Sequence, residues 1–230
     1  MWVYLYQSWT EKELKNAYIG EVWTPTSNTV LYRPLTANAN DESWNGYNGT
    51  WRNTTYSSTN WAYLIGKASW IDFPSSFKPW TSFTYSIWTK RLPNQWDLLI
   101  TNRISSYRYI YFRIKDTGEL TLFYGNWSTS QSEWNNIATV SDSVWHNIIL
   151  VKDWINGTVY VDGVSKWTHT FVYNPSPQKV SWGEFCIWQT SSDTTSRDGV
   201  YDKDCIFESK LRTAQEVSHY FDITKSNYWL

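Results

Sequence analysis

Ser143–Val164 reads SVWHNIILVKDWINGTVYVDGV, and this stretch decides the fold. Trp145, Ile148 and Leu150 lead to Asn156-Gly157, and Val159-Tyr160-Val161 run on to Asp162-Gly163. Asn-Gly and Asp-Gly supply the positive-φ residues that tight antiparallel turns require, so each dipeptide predicts a hairpin turn. Two such signals so close together predict a β-meander.

Alternation extends outward from there. Ser82–Lys90 sets Phe83, Tyr85 and Ile87 against Ser82, Thr84, Ser86 and Trp88, the period-two pattern of a strand. Tyr107–Ile114 and Leu120–Tyr124 flank Asp116-Thr117-Gly118 as a second hairpin, and Ile71–Phe73, Gly183–Ile187 and Gly199–Phe207 read as further strands. Near the end, Thr213 precedes a short apolar run with Glu216 at the capping-box position, which predicts a brief helix over Leu211–Val217. Many strands with almost no helix predict an all-β, two-sheet antiparallel sandwich. No internal repeat is evident.

The order Trp145-His146, an apolar strand ending in Lys152-Asp153, a short turn, then Thr158-Val159-Tyr160-Val161-Asp162-Gly163 resembles the laminin-G-like jelly-roll domains of the concanavalin-A-like lectin and glucanase superfamily. Val30–Leu35 with the Asn/Asp loop Ala37–Asp41 resembles the family's first strand and loop, and the final strand followed by a helical turn is another shared feature. The resemblance implies one jelly roll over residues 29–230 after a leader or linker at residues 1–28. Within that leader, Asn16–Val22 is faintly similar to short strands at the start of viral tail proteins. Asp204 stands where relatives carry an apolar residue and Cys205 where many carry arginine, so the register of the last strand is open.

Charge and composition exclude several roles. The net charge is −1, and no lysine or arginine run exceeds two residues, so there is no electrostatic footprint for nucleic acid or anionic lipid. No stretch approaches the roughly 18 apolar residues of a membrane helix, so no membrane insertion is expected. The N-terminus becomes charged at Glu11-Lys12-Glu13, too early for a secretion signal; extracellular, cell-surface or virion placement would need another export route or a missing leader. Cys186 and Cys205 lie in apolar runs and read as two small buried side chains rather than a bridge.

Tryptophan usage is anomalous: 18 Trp accompany 10 Gly in 230 residues. Glycine thus falls near 4%, against about 7% ordinarily. Trp44, Trp80, Trp154 and Trp182 sit in turn-like contexts such as Asn-Gly neighbourhoods, where a left-handed backbone wants glycine. This pattern suggests opal codons read as tryptophan although the source genome reads them as glycine. Trp88 and Trp145, by contrast, occupy strand positions where the family carries aromatic core residues, and are expected to be authentic. The alternative is a Trp-rich lectin whose indoles stack on sugars.

Three constellations are candidate sites. The oxygen-rich loop of Asn38, Asn40 and Asp41, near Glu42 and Asn48, with Asp202 as a partner implied by the resemblance, could supply the six to eight oxygens of a calcium site. The plain alternative is a turn in which Asn and Asp cap their own backbone. Tyr107, Tyr109, Tyr111 and Arg113 alternate with mostly apolar residues and would present a tyrosine face able to stack on sugar rings, or merely pair across strands. Asp202, Asp204 and Glu208 would share a face if their strand stayed regular, and glycosidases place two carboxyls about 5–9.5 Å apart. Laminarinase-type relatives use a Glu-x-Asp-x-x-Glu arrangement; here the first residue is Asp and the last lies too far along, so no catalysis is expected. His146, His169 and His219 show no metal-ligand spacing, and His146 reads as a hairpin residue. The resulting expectation is a non-catalytic recognition or adhesion module for carbohydrate or a cell-surface glycoconjugate, with calcium as a candidate cofactor. A structural, protein-contact domain of a surface layer or viral appendage is the second reading, and a glycoside hydrolase the third.

Overall fold

The computed structural model describes residues 27–33, 40–57, 62–72, 74, 76–77, 82–95, 97–103, 109–126, 131–171, 184–187 and 200–228. Residues 1–26 of the expected leader, Trp80 and Trp182 lie outside them.

The first strands are β1 (Thr29–Arg33), β2 (Thr50–Ser57), β3 (Ala62–Asp72), β4 (Ser82–Arg91), β5 (Asp97–Arg103), β6 (Tyr109–Ile114) and β7 (Glu119–Asn126). They are followed by β8 (Gln131–Thr139), β9 (Trp145–Asp153), β10 (Asn156–Val161), β11 (Val164–Thr170), β12 (Glu184–Ile187) and β13 (Val200–Glu208). Helix α1 (Ala214–Thr224) and a 3-10 turn, Lys225–Tyr228, close the described chain. All pairings are antiparallel. One layer runs β11-β10-β9-β4-β13, with β1 on the far side of β13, and the other runs β12-β5-β6-β7-β8. Strand β3 joins them: Tyr63–Ile65 pair with β13 at one end and Ile71-Asp72 with β12 at the other, while β2 lies along its outer edge.

Period-two alternation explains how the layers meet. Phe83, Tyr85 and Ile87 of β4, Ile148 and Leu150 of β9, Val159 and Val161 of β10, and Cys205 and Phe207 of β13 face Leu99, Ile100, Phe112, Ile114, Leu120 and Leu122 of the other layer. Cys205 is a buried thiol beside Tyr85, whose hydroxyl pKa is pushed well up by burial and by Cys205 and Asp202 nearby. The first layer is covered on its outer side as well. Tyr32, Ile149, Tyr160 and Ile206 pack under Val217 and Tyr220 of α1, and Trp88 stacks on Tyr228 with ring centroids 3.8 Å apart. Phe83–Thr89 are consequently buried without a break, so the polar-looking half of β4 faces a second core rather than water.

The meander forms, with one correction. The predicted turn at Asn156-Gly157 is instead Trp154-Ile155, because Asp153 pairs with Asn156 and Lys152 with Gly157. Hydrophobic matching sets this register: it puts Leu150 opposite Val159 and Ile148 opposite Val161, whereas a turn two residues later would oppose Val161 to Lys152. Gly157 serves a close approach, since a Cβ there would lie 2.8 Å from the Phe171 ring. The Asp162-Gly163 turn forms as expected, both residues having positive φ, 52° and 77°, the type I′ pattern. The final strand is also irregular. Between Lys203 and Ile206 it carries a bulge, with Asp204 at φ 49°, which resolves the odd Asp204-Cys205 pair. Thr213 and Glu216 form the predicted capping box.

Candidate functional site

The tyrosine stripe lies on β6. Tyr107 is outside the described residues; Tyr109 and Tyr111 belong to the strand, where Phe112 and Ile114 are fully buried in the sandwich. Arg113, between Phe112 and Ile114, falls on the outer face of this layer, and Tyr109 and Tyr111 are alternate positions of the same strand. Arg113 is half-buried there and its Nε donates to Thr121 Oγ1 at 3.3 Å. The register extends the row: Tyr111 pairs with Phe123, and Phe123 with Trp134 of β8, so three aromatic positions cross adjacent strands. Strand β8 is too polar to stand out in the sequence, and that hid this row. Helix α1 packs on the other layer and so does not cover this face.

The Asp41 loop is built differently from a cation cage. Asp41 Oδ1 accepts from the backbone N–H of Tyr32 (3.1 Å) and Ser43 (2.9 Å), and Oδ2 accepts from that of Tyr47 (2.9 Å). Asn48 Oδ1 accepts from the Asp41 N–H, and Asn45 Nδ2 donates to the Thr29 and Val30 carbonyls. These bonds clamp the loop to β1. Asn40 is exposed and Asn38 lies outside the described residues. Asp202 is enclosed within β13 at 0% exposure. Asp41 is anchored at Tyr32, which pairs with Ile206, four residues along β13 from Asp202. Among the described residues no group of three His, Cys, Asp or Glu could hold a metal.

The bulge separates Asp202 from the other two β13 carboxylates. Asp202 shares the sandwich interior with Asp97, which accepts from Thr89 Oγ1 at 2.7 Å. Asp204 turns to the α1 side, accepting from the hydroxyls of Tyr32 and Tyr228; burial, with the Asp204 charge beside it, raises the pKa of both phenols. Glu208 is held by buried Arg212 at 2.5 Å. The bulge therefore leaves Asp204 and Glu208 together on the α1 side, where both charges act on the Tyr220 phenol, while Asp202 lies on the opposite face.

One constellation escaped the sequence reading. Ser141 Oγ lies 2.8 Å from His146 Nε2, and His146 Nδ1 lies 2.7 Å from Asp162 Oδ2. This is the connectivity of an acyl-transfer relay. The backbone N–H groups of Val140 and Ser143 on either side of Ser141 are bonded to the Gly118 and Arg91 carbonyls. Asp162 Oδ1 also accepts from the Asn147 N–H at 2.9 Å, so the array ties the β10–β11 turn to the start of β9. Beside it, buried Arg91 donates to the carbonyls of Gln95 and Asp116 and pairs with Asp142, pinning three loops at one end of the sandwich. The only available signal was the Trp-His opening facing an Asp-Gly turn.

Residues 65–218 match the family described as the concanavalin A-like lectin/glucanases superfamily, more than half of the chain. No curated protein matches in sequence. Among solved structures, domain 4 of AbnA, a GH43 extracellular arabinanase from Geobacillus stearothermophilus in complex with arabinotriose, superposes with TM-score 0.68 at 16% identity, over 84% of this chain and 97% of that one. The botulinum neurotoxin type G receptor-binding domain superposes with TM-score 0.63 at 16% identity, over 86% of this chain and 52% of that one. A botulinum neurotoxin type C structure, described as dependent on two ganglioside molecules for cell entry, gives 0.62 at 14% identity, over 85% of this chain and 51% of that one. The chain thus spans about half the length of the toxin domains, and the likeness to all three is one of fold. Among the described residues no helix is long and apolar enough to cross a membrane.

Proposed function

Because the chain belongs to the concanavalin A-like lectin/glucanases superfamily, we propose that it is a non-catalytic recognition module that binds carbohydrate or a cell-surface glycoconjugate through the outer face of the β5–β8 layer. The observation that carries this reading is the strand register, which sets the Tyr111, Phe123 and Trp134 positions side by side across β6, β7 and β8, next to Tyr109 and Arg113. Aromatic faces stack on sugar rings while tyrosine hydroxyls and the guanidinium bond to ring hydroxyls. The arabinotriose bound to the AbnA domain and the gangliosides of the type C neurotoxin support a glycan as ligand. Tyr109, Tyr111 and Phe123 carry the platform, since none of them is a tryptophan.

The placement of Asp202 on the face opposite Asp204 and Glu208, and the tie of Asp162 to the Asn147 N–H as a turn anchor, support a non-catalytic role. Binding is expected without calcium, because the Asp41 carboxylate serves its own loop. A glycan array run with calcium and with chelator tests the proposal, alongside Tyr111→Ala and Phe123→Ala. The expected result is one glycan class bound in both conditions and lost in the variants at unchanged melting temperature. No glycan bound in either condition would overturn it and favour the protein-contact reading.

A further inference from the structure

Five tryptophan side chains fall among the described residues, and they divide sharply. Trp88 and Trp145 are buried and Trp167 is half-buried, whereas Trp44 is 80% exposed and Trp154 57%. The two exposed indoles are also the two with a left-handed backbone, at φ 68° and 53°. A bulky residue in that region is a conformational outlier, because its Cβ crowds the following carbonyl. The other non-glycine residues with positive φ are Asn94, Ser143, Asp162 and Asp204, all short and polar.

Both positions are places for glycine on local geometry alone. Trp154 is the first central residue of the two-residue β9–β10 turn, whose second residue, Ile155, lacks positive φ. That is the pattern of a type II′ turn, whose first central position is the glycine position. Trp44 sits in the Asp41 loop between Ser43, whose hydroxyl donates to the Val30 carbonyl, and Asn45, whose amide donates to the Thr29 carbonyl. Two residues on, Gly46 is left-handed too, at φ 71°. The indoles at 44 and 154 thus gain little burial to offset their backbone, while the chain holds 18 Trp and only 10 Gly.

We propose that positions 44 and 154 are glycine in the protein as its own cells make it, their codons being opal codons that those cells read as glycine, and that Trp88 and Trp145 are tryptophan. Glycine at 88 would empty the space stacked on Tyr228 and Phe221. The two most exposed indoles are then no part of a sugar-binding surface, and the tyrosine face of the β5–β8 layer stands independently of them.

The test reads the codons at 44, 88, 145 and 154 and weighs the tryptic peptide 153–166 from natively produced protein. Opal codons at 44 and 154, standard tryptophan codons at 88 and 145, and a glycine mass for that peptide are expected. Standard tryptophan codons at 44 or 154, or a tryptophan mass in the peptide, would overturn the proposal. The backbone argument has its own check in the purified chain. Trp44→Gly combined with Trp154→Gly should raise the melting temperature by on the order of 5 °C. A lower melting temperature in that double variant would overturn the argument, and Trp88→Gly, expected to fall steeply, serves as the contrast.

Discussion

Replacing Asp41 with asparagine separates a loop clamp from a metal ligand. The carboxylate accepts three backbone N–H groups, from Tyr32 and Ser43 on one oxygen and Tyr47 on the other. The amide in Asp41→Asn would keep a single acceptor oxygen. If that oxygen stays toward Tyr32 and Ser43, the new NH2 faces the Tyr47 N–H, donor against donor; the flipped amide sacrifices two bonds instead. A hydrogen bond to a charged group contributes roughly 1.5–3 kcal/mol, and losing one while neutralising the others should cost about 2–3 kcal/mol. For a chain of this size each kcal/mol shifts the melting temperature by about 2–4 °C, so a fall of roughly 4–12 °C is expected. The assay is scanning calorimetry of parent and Asp41→Asn, in calcium and in chelator, with the same fall in both. Unchanged melting would refute the clamp. A fall seen only in calcium would make Asp41 a calcium ligand and refute the reasoning from its bonds.

Trp88→Ala should cost about 3–5 kcal/mol, because it opens a cavity between β4 and the C-terminal turn; limited proteolysis should then cut near Tyr228 before the sandwich opens, and a globally unfolded variant with no such early cut would count against the separate outer core. Lys152 is buried and donates to the Trp154 carbonyl, and burial lowers its pKa from 10.5 to about 8 against the raising effect of Asp153. Between those two values the unfolded chain binds more protons than the native one, so this lysine makes stability rise with pH across the window. Urea unfolding at about pH 7.5 and about pH 9.5 should show that rise in the parent and lose it in Lys152→Met; identical pH slopes would contradict it. Thr213→Ala removes the α1 cap and should cost about 1 kcal/mol by urea unfolding, and a neutral result would mean that packing of Val217 and Tyr220 alone holds the helix.

What was legible in the sequence were the features set by local chemistry: the Asp162-Gly163 turn, the hairpin at Gly118, the Thr213 capping box and the core half of β4. Gly118 shows why, since its φ of 86° and a Val140 carbonyl 2.7 Å from where a Cβ would sit leave no other residue comfortable. Long-range facts were less accessible. The β9–β10 turn moved off Asn156-Gly157 because strand matching outweighed the dipeptide's preference, and the bulge at Asp204 depends on Tyr32 and Tyr228, which are distant in sequence. For the candidate site, the legible part was the alternation within β6, where Tyr109, Tyr111 and Arg113 interleave with the buried Phe112 and Ile114. Phe123 and Trp134 joined the row only through inter-strand register, and the Ser141–His146–Asp162 array needed two loops brought together.

The pairing of β1 with β13 bears on how the chain can be synthesised. Thr29 finds its partner at Glu208, and β13 is also the neighbour that completes β3 and β4. While a ribosome is still upstream of residue 200, those three strands present open edges with nothing to pair with, a high-contact-order arrangement in which the last strand to emerge closes the first. An ordinary expression host that treats an opal codon as a stop would end the chain before position 44 or, after read-through there, before position 154, and the second product carries β1, β3 and β4 without β13. Its open β-edges would make that product a seed for edge-to-edge aggregation rather than a smaller working domain.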